Sequence, residues 1–254
     1  MEDRWERTRL LLGGDAIERL RRARVIVFGV GGVGGYAVEA LARSGVGAID
    51  VVDNDRFAPS NLNRQILATT ATIGQYKVDA ARDRILSINP DCAVTAHKTF
   101  YLPETEAAFD FTRYDYVLDA IDTVAGKLSL IVNAQRAGTP IISSMGAGNK
   151  LDPTAFRVAD IYDTAVCPLA RVIRTECRKR GIRHLKVVCS EEPARRPVAE
   201  PGVAPQTADT AAPVTERPRR STPGSVAFVP SVAGLIMAGE VIRDLTRDLL
   251  PGAE

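Results

Sequence analysis

Four glycines set the first chemical possibility. Gly29, Gly31, Gly32 and Gly34 make a GxGGxG turn directly after the apolar run Arg24 to Val30. Glycine lets a backbone approach phosphate oxygens closely, and a helix starting at such a turn adds unpaired N–H groups and a partial positive charge. Asp53 closes the next apolar run, 19 residues beyond Gly34. From there a carboxylate can accept hydrogen bonds from ribose hydroxyls. This pairing serves an NAD-dependent dehydrogenase as well as an ATP-using enzyme, so the glycines and Asp53 alone leave both open.

The elements needed to hold such a turn are legible around it. Arg24 to Val30 and Ala48 to Asp53 read as buried parallel strands, with a helix over Gly34 to Ser44 between them. Asn54 to Thr72 is polar and loop-like, and Ile73 to Ile88 reads as a helix stopped by Asn89-Pro90. Ala93 to His97, Tyr116 to Ala120 and Pro140 to Ser144 are further strands, with helical spacing between the last two. Asp15 to Arg22 reads as a short helix leading in. The second half is less regular: a strand over Thr154 to Ile161, a helix over Val166 to Arg180, a strand over Leu185 to Cys189, then a strand and closing helix within Ser225 to Leu250. The expected fold is therefore α/β, a doubly wound, Rossmann-like and mostly parallel sheet. An irregular α+β C-terminal half completes the same domain, spanning 1–254.

The stretch after Asp53 separates the two chemistries. Asp53-Asn54-Asp55 runs into Ser60-Asn61-Leu62-Asn63-Arg64-Gln65, then Gly74-Gln75-Tyr76-Lys77 and Asp119-Ala120-Ile121-Asp122. This combination resembles the ubiquitin-activating (ThiF/MoeB/HesA) superfamily. The resemblance implies that Asp53 holds the ribose, that Asn61, Arg64 and Lys77 contact phosphates, and that Asp122 holds magnesium. It also implies that Arg9, in the N-terminal helix, reaches a neighbouring subunit. The implied nucleotide-contacting set is Gly29, Gly31, Gly32, Gly34, Asp53, Asp55, Asn61, Arg64, Gln65, Lys77 and Asp122, and the catalytic set is Arg64, Lys77, Asp122 and Arg9. Elementary chemistry agrees: attack of a carboxylate on an α-phosphate builds negative charge, which two fixed cations and a metal stabilise. ATP and Mg2+ are the implied cofactors, with a monovalent cation as a further candidate.

Within the superfamily, sulfur-carrier activators hold zinc on two CxxC pairs. Cys92, Cys167, Cys177 and Cys189 form none, which argues against zinc. The later segments instead resemble the tRNA threonylcarbamoyladenosine dehydratases: Asn89-Pro90-Asp91-Cys92, Gly146-Ala147-Gly148, Leu151-Asp152-Pro153-Thr154, Cys167-Pro168-Leu169-Ala170 and Val187 to Pro193. That resemblance implies ATP-dependent cyclisation of the modified adenosine in tRNA through a carboxyl adenylate, in a homodimer, with a sulfur-relay protein as a second potential partner. The alternative is adenylation of the C-terminal glycine of a ubiquitin-like sulfur carrier. Arg171, Arg174, Arg178, Lys179, Arg180, Arg183 and Lys186 lie within 16 residues with Glu176 the sole acid, a run able to line a phosphate backbone or to form a solvated helix face. Cys167 precedes Pro168 at an expected helix start, a position that favours thiolate; Cys92 and Cys177 read as buried small residues. His97 and His184 sit in no recognisable acid–base constellation.

Composition narrows the setting. The 254 residues are 45% hydrophobic and 25% charged, with a formal net charge of +2, so no whole-molecule field marks a polyanionic partner. The charged N-terminus, the reduced-thiol pattern and the interruption of the apolar C-terminal run by Pro230 and Glu240 imply a cytoplasmic protein without a membrane span. Seven prolines fall between Pro193 and Pro223 among few large apolar residues. Residues 190–222 are therefore expected to form a disordered insert.

Overall fold

The computed structural model describes residues 4–198 and 223–249. Strands β1 (Arg24–Phe28), β2 (Ala48–Val52), β3 (Ala93–His97), β4 (Tyr116–Asp119), β5 (Ile141–Ser144), β6 (Phe156–Asp160) and β7 (Lys186–Ser190) form one sheet in the order β3-β2-β1-β4-β5-β7-β6. Every pairing is parallel except that of β6 with β7. The helices are α1 (Glu6–Leu12), α2 (Gly14–Arg22), α3 (Gly34–Arg43), α4 (Lys77–Ile88), α5 (Val124–Ala137), α6 (Pro168–Lys179) and α7 (Pro230–Thr246). The strand order reverses at β1 and β4, which opens a crevice at the carboxyl edge where this class of fold binds ligands.

The β1 side chains explain why helices cover both faces. Val25 and Val27 join Val38, Leu41, Ile85 and Met237 in one core. Ile26 and Phe28 point the other way, into a cluster with Tyr101, Phe109, Phe111 and Leu130. A third cluster, built around Ile131, Ile173, Cys177 and Val187, lies under α5 and α6. The α7 helix is tied across the sheet by Asp244, whose carboxylate accepts from Tyr116 Oη (2.7 Å) and Lys186 Nζ (2.6 Å).

Several boundaries differ from the sequence-based expectation. Residues 73–76 are not helical: Gly74 has φ +83°, its N–H donates to Phe57 O, and Tyr76 pairs in an isolated bridge with Arg56. Helix α4 therefore begins at Lys77 itself. No strand forms at 225–229. Gly224 N donates to Asn149 Oδ1 and Ser225 O accepts from Asn63 Nδ2, so loop contacts use the polar groups a ladder would need, and Pro230 opens α7. Helix α1 is the N-terminal helix that the resemblance implied for Arg9, whereas the 3₁₀ turns at Pro103–Ala108 and Phe111–Arg113 went unread because such short turns carry little periodicity.

Most of the expected disordered insert, 199–222, lies outside the described residues, and its start is structured. Ser190 ends β7, Glu191 N donates to Ala155 O, and the Glu192 carboxylate caps Leu151 N and Asp152 N. Asn149 joins the two flanks. Its O accepts from Arg195 N at 2.8 Å, and its N and Oδ1 both bond Gly224. It does so with φ +59°, the one non-glycine positive φ among the described residues.

The one acid inside the apolar pattern of β2 is Asp50, with its side chain 2% exposed. Arg24 Nη2 donates to Oδ1 at 2.8 Å, Tyr114 Oη donates to Oδ2 at 2.9 Å, and His97 Nε2 lies 3.1 Å from Oδ2. Burial would raise this carboxyl, but hydrogen bonds from His97, Arg24 and Tyr114 outweigh it and hold the group below its ordinary range. A lowered folded-state value means that the stabilisation is complete above the unfolded value, near ~3.9. It is lost as pH falls through the folded value. Stability in denaturant melts should thus drop on acidification below about pH 4. Asp50→Asn should cost about 3 kcal/mol at neutral pH and flatten that acid limb; an unchanged limb would place the acid sensitivity elsewhere.

Candidate nucleotide site

The glycine turn is a place where two backbones meet without side chains. Gly29 follows β1 with φ +87°, and a Cβ there would lie 2.7 Å from Ala120 O. A Cβ on Gly34 would lie 1.8 Å from Gly29 O. Real contacts never come that close, so the turn, the loop after β4 and the start of α3 have one compatible arrangement. Helix α3 begins with no side-chain cap. The N-terminus of α7 abuts the same turn, since Pro230 Cβ would be 3.3 Å from a Cβ on Gly32, and it too has no side-chain cap. The starts of two helices therefore meet at the turn, one following it in sequence and one from a remote segment.

The neighbouring residues are linked to the turn one by one. Asp53 Oδ2 accepts from Val30 N at 2.8 Å, and its Oδ1 accepts from Asp55 N at 2.9 Å. Asp55 Oδ2 in turn lies 2.8 Å from Lys77 Nζ, whose side chain is 8% exposed. Asn61 Oδ1 accepts from Ala58 N, shaping the 3₁₀ turn Pro59–Asn61 that leads to Arg64. Arg64 Cγ would be 3.5 Å from a Cβ on Gly32. Its Nη1 donates to Ser60 O and Asn63 Oδ1, both at 2.9 Å. Burial lowers the Arg64 pKa, and no carboxylate opposes that shift. Gln65 is buried, with Nε2 3.8 Å from the Cβ position of Gly31 and Oε1 left without a partner.

These features fit a triphosphate. The glycines leave a cradle that a Cβ would fill, Arg64 is a half-buried cation bonded only to neutral oxygens among the described residues, and Gln65 carries an orphaned acceptor. Asp122 is exposed, follows the loop that touches Gly29, and makes no hydrogen bond or ion pair among the described residues. A lone carboxylate suits Mg2+, which takes one or two protein ligands and completes its shell with phosphates and water. Asp119, the other acid of this segment, is engaged instead. Its carboxylate lies 3.0 Å from Lys127 Nζ and 2.5 Å from Ser143 Oγ. Lys127 had no sequence signal beyond its place in the first turn of α5.

Arg9 is not brought to this turn. Trp5, one helical turn earlier, donates Nε1 to Arg43 O at the far end of α3, about 13 to 14 Å along that helix from Gly34. Burial pushes the Cys92 and Cys177 thiols up to about 11, which leaves them protonated. Cys167 and Cys189 are also buried, and they line a small cavity of about 50 Å³ with Arg157 and Glu191. His97 belongs to the Asp50 network, and His184 is exposed. No helix among the described residues is long and apolar enough to cross a membrane.

Gly34→Ala should destabilise the protein by ~2 kcal/mol or more, because the contact is with backbone that cannot move aside. Titration calorimetry should show ATP binding at least about ten-fold weaker, as the turn that offers its N–H groups is displaced. Gly239→Ala in α7, where a Cβ meets nothing within 4 Å, should be neutral or stabilising by about 0.5–1 kcal/mol. Equal behaviour of the two variants would show that the close approach does not set the turn.

Comparison with known proteins fits this geometry. The chain is 45% identical to the tRNA threonylcarbamoyladenosine dehydratase of Bacillus subtilis over 250 residues, 98% of this chain and 97% of that one. Solved structures of the Escherichia coli tRNA N6-threonylcarbamoyladenosine dehydratase, in complex with AMP and with ATP, superpose with TM-scores of 0.83 and 0.82. They share 30% and 31% identity with it over 96% of this chain and 94% of theirs. The Escherichia coli molybdopterin-synthase adenylyltransferase is 37% identical over 146 residues, 58% of each chain. The ThiF family model matches residues 6–252, and the chain belongs to the ThiF family, among the tRNA threonylcarbamoyladenosine dehydratases.

Proposed function

We propose that this protein uses ATP to cyclise threonylcarbamoyladenosine in tRNA. A threonyl carboxylate oxygen attacks the α-phosphorus of ATP, the bond to the β-phosphate oxygen breaks, and pyrophosphate leaves. The tethered carbamoyl group then attacks the activated carbonyl carbon and loses a proton as AMP departs, closing a ring. The elements of water are lost, with the oxygen carried away on AMP. Tethering supplies the nucleophile, so no side chain needs to form a covalent intermediate.

In this reading the glycine turn and both helix starts hold phosphate, and Asp53 holds the ribose. Asn61 and Gln65 complete the cradle, while Arg64 and Lys77 offset charge that grows on phosphate oxygens. Asp55 keeps the Lys77 ammonium in place until phosphate competes for it. Mg2+ on Asp122 would neutralise phosphate charge. The observation that carries the chemistry is Arg64, half-buried with its stem beside Gly32 and its guanidinium bonded only to neutral oxygens among the described residues. The choice of acyl substrate follows the end-to-end likeness to the Bacillus subtilis enzyme.

A homodimer would let Arg9 serve the partner's site. The supporting feature is α1, which buries none of its residues and leaves Leu10 and Leu11 82% and 78% exposed. A tRNA substrate supports a cytoplasmic location. A sulfur-relay partner and a monovalent cation gain no support from the geometry.

Mass spectrometry of tRNA nucleosides after incubation with protein and ATP should show the ring-closed, dehydrated product. AMP release only in the presence of a small ubiquitin-like protein would overturn the reading in favour of a carrier-activating enzyme. Arg64→Ala and Lys77→Ala should each slow turnover by about 10²-fold or more with melting little changed. Asp122→Asn should raise the Mg2+ requirement, because an amide is a poorer ligand for a hard cation. Near-parental rates in all three would defeat these assignments.

The basic run is less available than its sequence suggested. Lys179 and Arg180 both bond Glu176, Arg174 Nη1 donates to Thr164 Oγ1, Arg178 lies over the Tyr162 ring, and Lys186 pairs with Glu240 and Asp244. Because β7 starts at Lys186 and runs parallel to β5, the end of α6 lies at the amino edge of the sheet, opposite the glycine turn. Only a partner long enough to track the whole helix can touch both. Changing Arg178, Lys179 and Arg180 together to Ser should raise the apparent tRNA KM, leave ATP affinity unchanged, and reduce the salt slope of tRNA binding by roughly one to two. Identical slopes in filter binding would remove this face from the footprint.

A further inference from the structure

A fully buried lysine sits at the carboxyl edge, outside the phosphate-facing set. Lys127, in the first turn of α5, has no solvent exposure, and neither does its partner Asp119 at the end of β4. Lys127 Nζ lies 3.0 Å from both oxygens of Asp119, 3.3 Å from Ser143 Oγ and 2.8 Å from Ser144 O. Asp119 also accepts from Ser143 Oγ and, at 3.3 Å, from Ile121 N. Burying two charges is costly, and a pair of similar-sized neutral residues is often as stable. Stability alone therefore gives little reason for an ion pair here.

Its place in the chain suggests another role. The turn 120–123 joins β4 to α5, and Asp122 is carried on it. Asp119 holds the turn's first half through Ile121 N. Lys127 holds the first helical turn that follows, through its own N–H to Thr123 O and its ammonium to Asp119. The bond to Ser144 O fixes the same lysine to the end of β5. Ala120, within this turn, is the residue whose carbonyl meets Gly29. One ammonium thus braces three elements around a turn whose exposed acid has no other support among the described residues.

We infer that Lys127 is a positioning residue: paired with Asp119, it fixes the 120–123 turn so that the Asp122 carboxylate is presented toward the phosphate side in one geometry. This rests on the reading of Asp122 as the magnesium-holding acid. Lys127 acts through the turn and touches neither substrate nor metal.

Lys127→Met alone would strand a buried carboxylate and could simply fail to fold, so the test is the double variant Lys127→Met/Asp119→Asn, neutral at both positions, beside Asp122→Asn. Hydrogen–deuterium exchange of the full chain reads the turn directly. The double variant should melt close to the parent, exchange faster by about ten-fold at 120–123 with the rest of the sheet unchanged, and need about ten-fold more Mg2+ for half-maximal ATP–pyrophosphate exchange. Parental exchange at the turn would overturn the inference. So would faster exchange with a parental Mg2+ requirement, provided that Asp122→Asn raises that requirement. If Asp122→Asn leaves the requirement unchanged while the turn loosens in the double variant, the bracing stands and the metal assignment falls.

Discussion

The structure depends on a contact between backbones. Gly29 meets the carbonyl of Ala120, and Gly34 meets the carbonyl of Gly29, at separations that exclude a methyl group. The consecutive elements β1 and α3 are locked at this point to the loop after β4, which lies about 90 residues further along the chain. The N–H groups of the glycine turn, the Asp53 carboxylate and the loop carrying Asp122 then take their relative places from the same contact. Close packing of this kind has few alternatives, so a small displacement at the turn would be felt by every group around it.

A second constraint is the way charge is distributed between buried and wet positions. Asp50, Asp119 and Lys127 are buried and paired, each within a closed set of partners. Arg64 is half-buried without an acid, and Asp122 is exposed without a cation, among the described residues. Groups of the first kind hold elements together. Groups of the second kind are left incomplete by the fold, which is the condition for a ligand to complete them.

Local features of the site were the legible ones. The glycine turn and Asp53 were legible because their chemistry is encoded over a few residues, and the segment from Asn61 to Lys77 through the family resemblance that its motifs carry. The strands were read from continuous apolar runs, which both-face burial requires. Features that depend on chain ends meeting were not legible. The N-terminus of α7 reaches Gly32 from the far end of the chain, and the partners of Lys127 sit on β4 and β5. His97 looked isolated because its partner, Asp50, is on the neighbouring strand. A signal was nevertheless present: an acid interrupting Ala48–Val52, where every neighbour is apolar, asks for a buried partner. The engagement of the basic run was only partly legible: Glu176 lies within it, but Thr164, Tyr162, Glu240 and Asp244 come from other elements.

Asn149 has a bearing on how this chain can change over time. By bonding Arg195 on one side and Gly224 on the other, it sets the two ends of the intervening polypeptide beside each other. Closing a loop between fixed ends grows more costly only slowly with length, by about 0.6 kcal/mol per doubling. Lineages could therefore lengthen, shorten or replace that stretch while the sheet and its glycine turn stayed as they are. The same junction would accept a fluorescent reporter or an affinity handle without a new linker search, because the host fold already presents both attachment points at one residue.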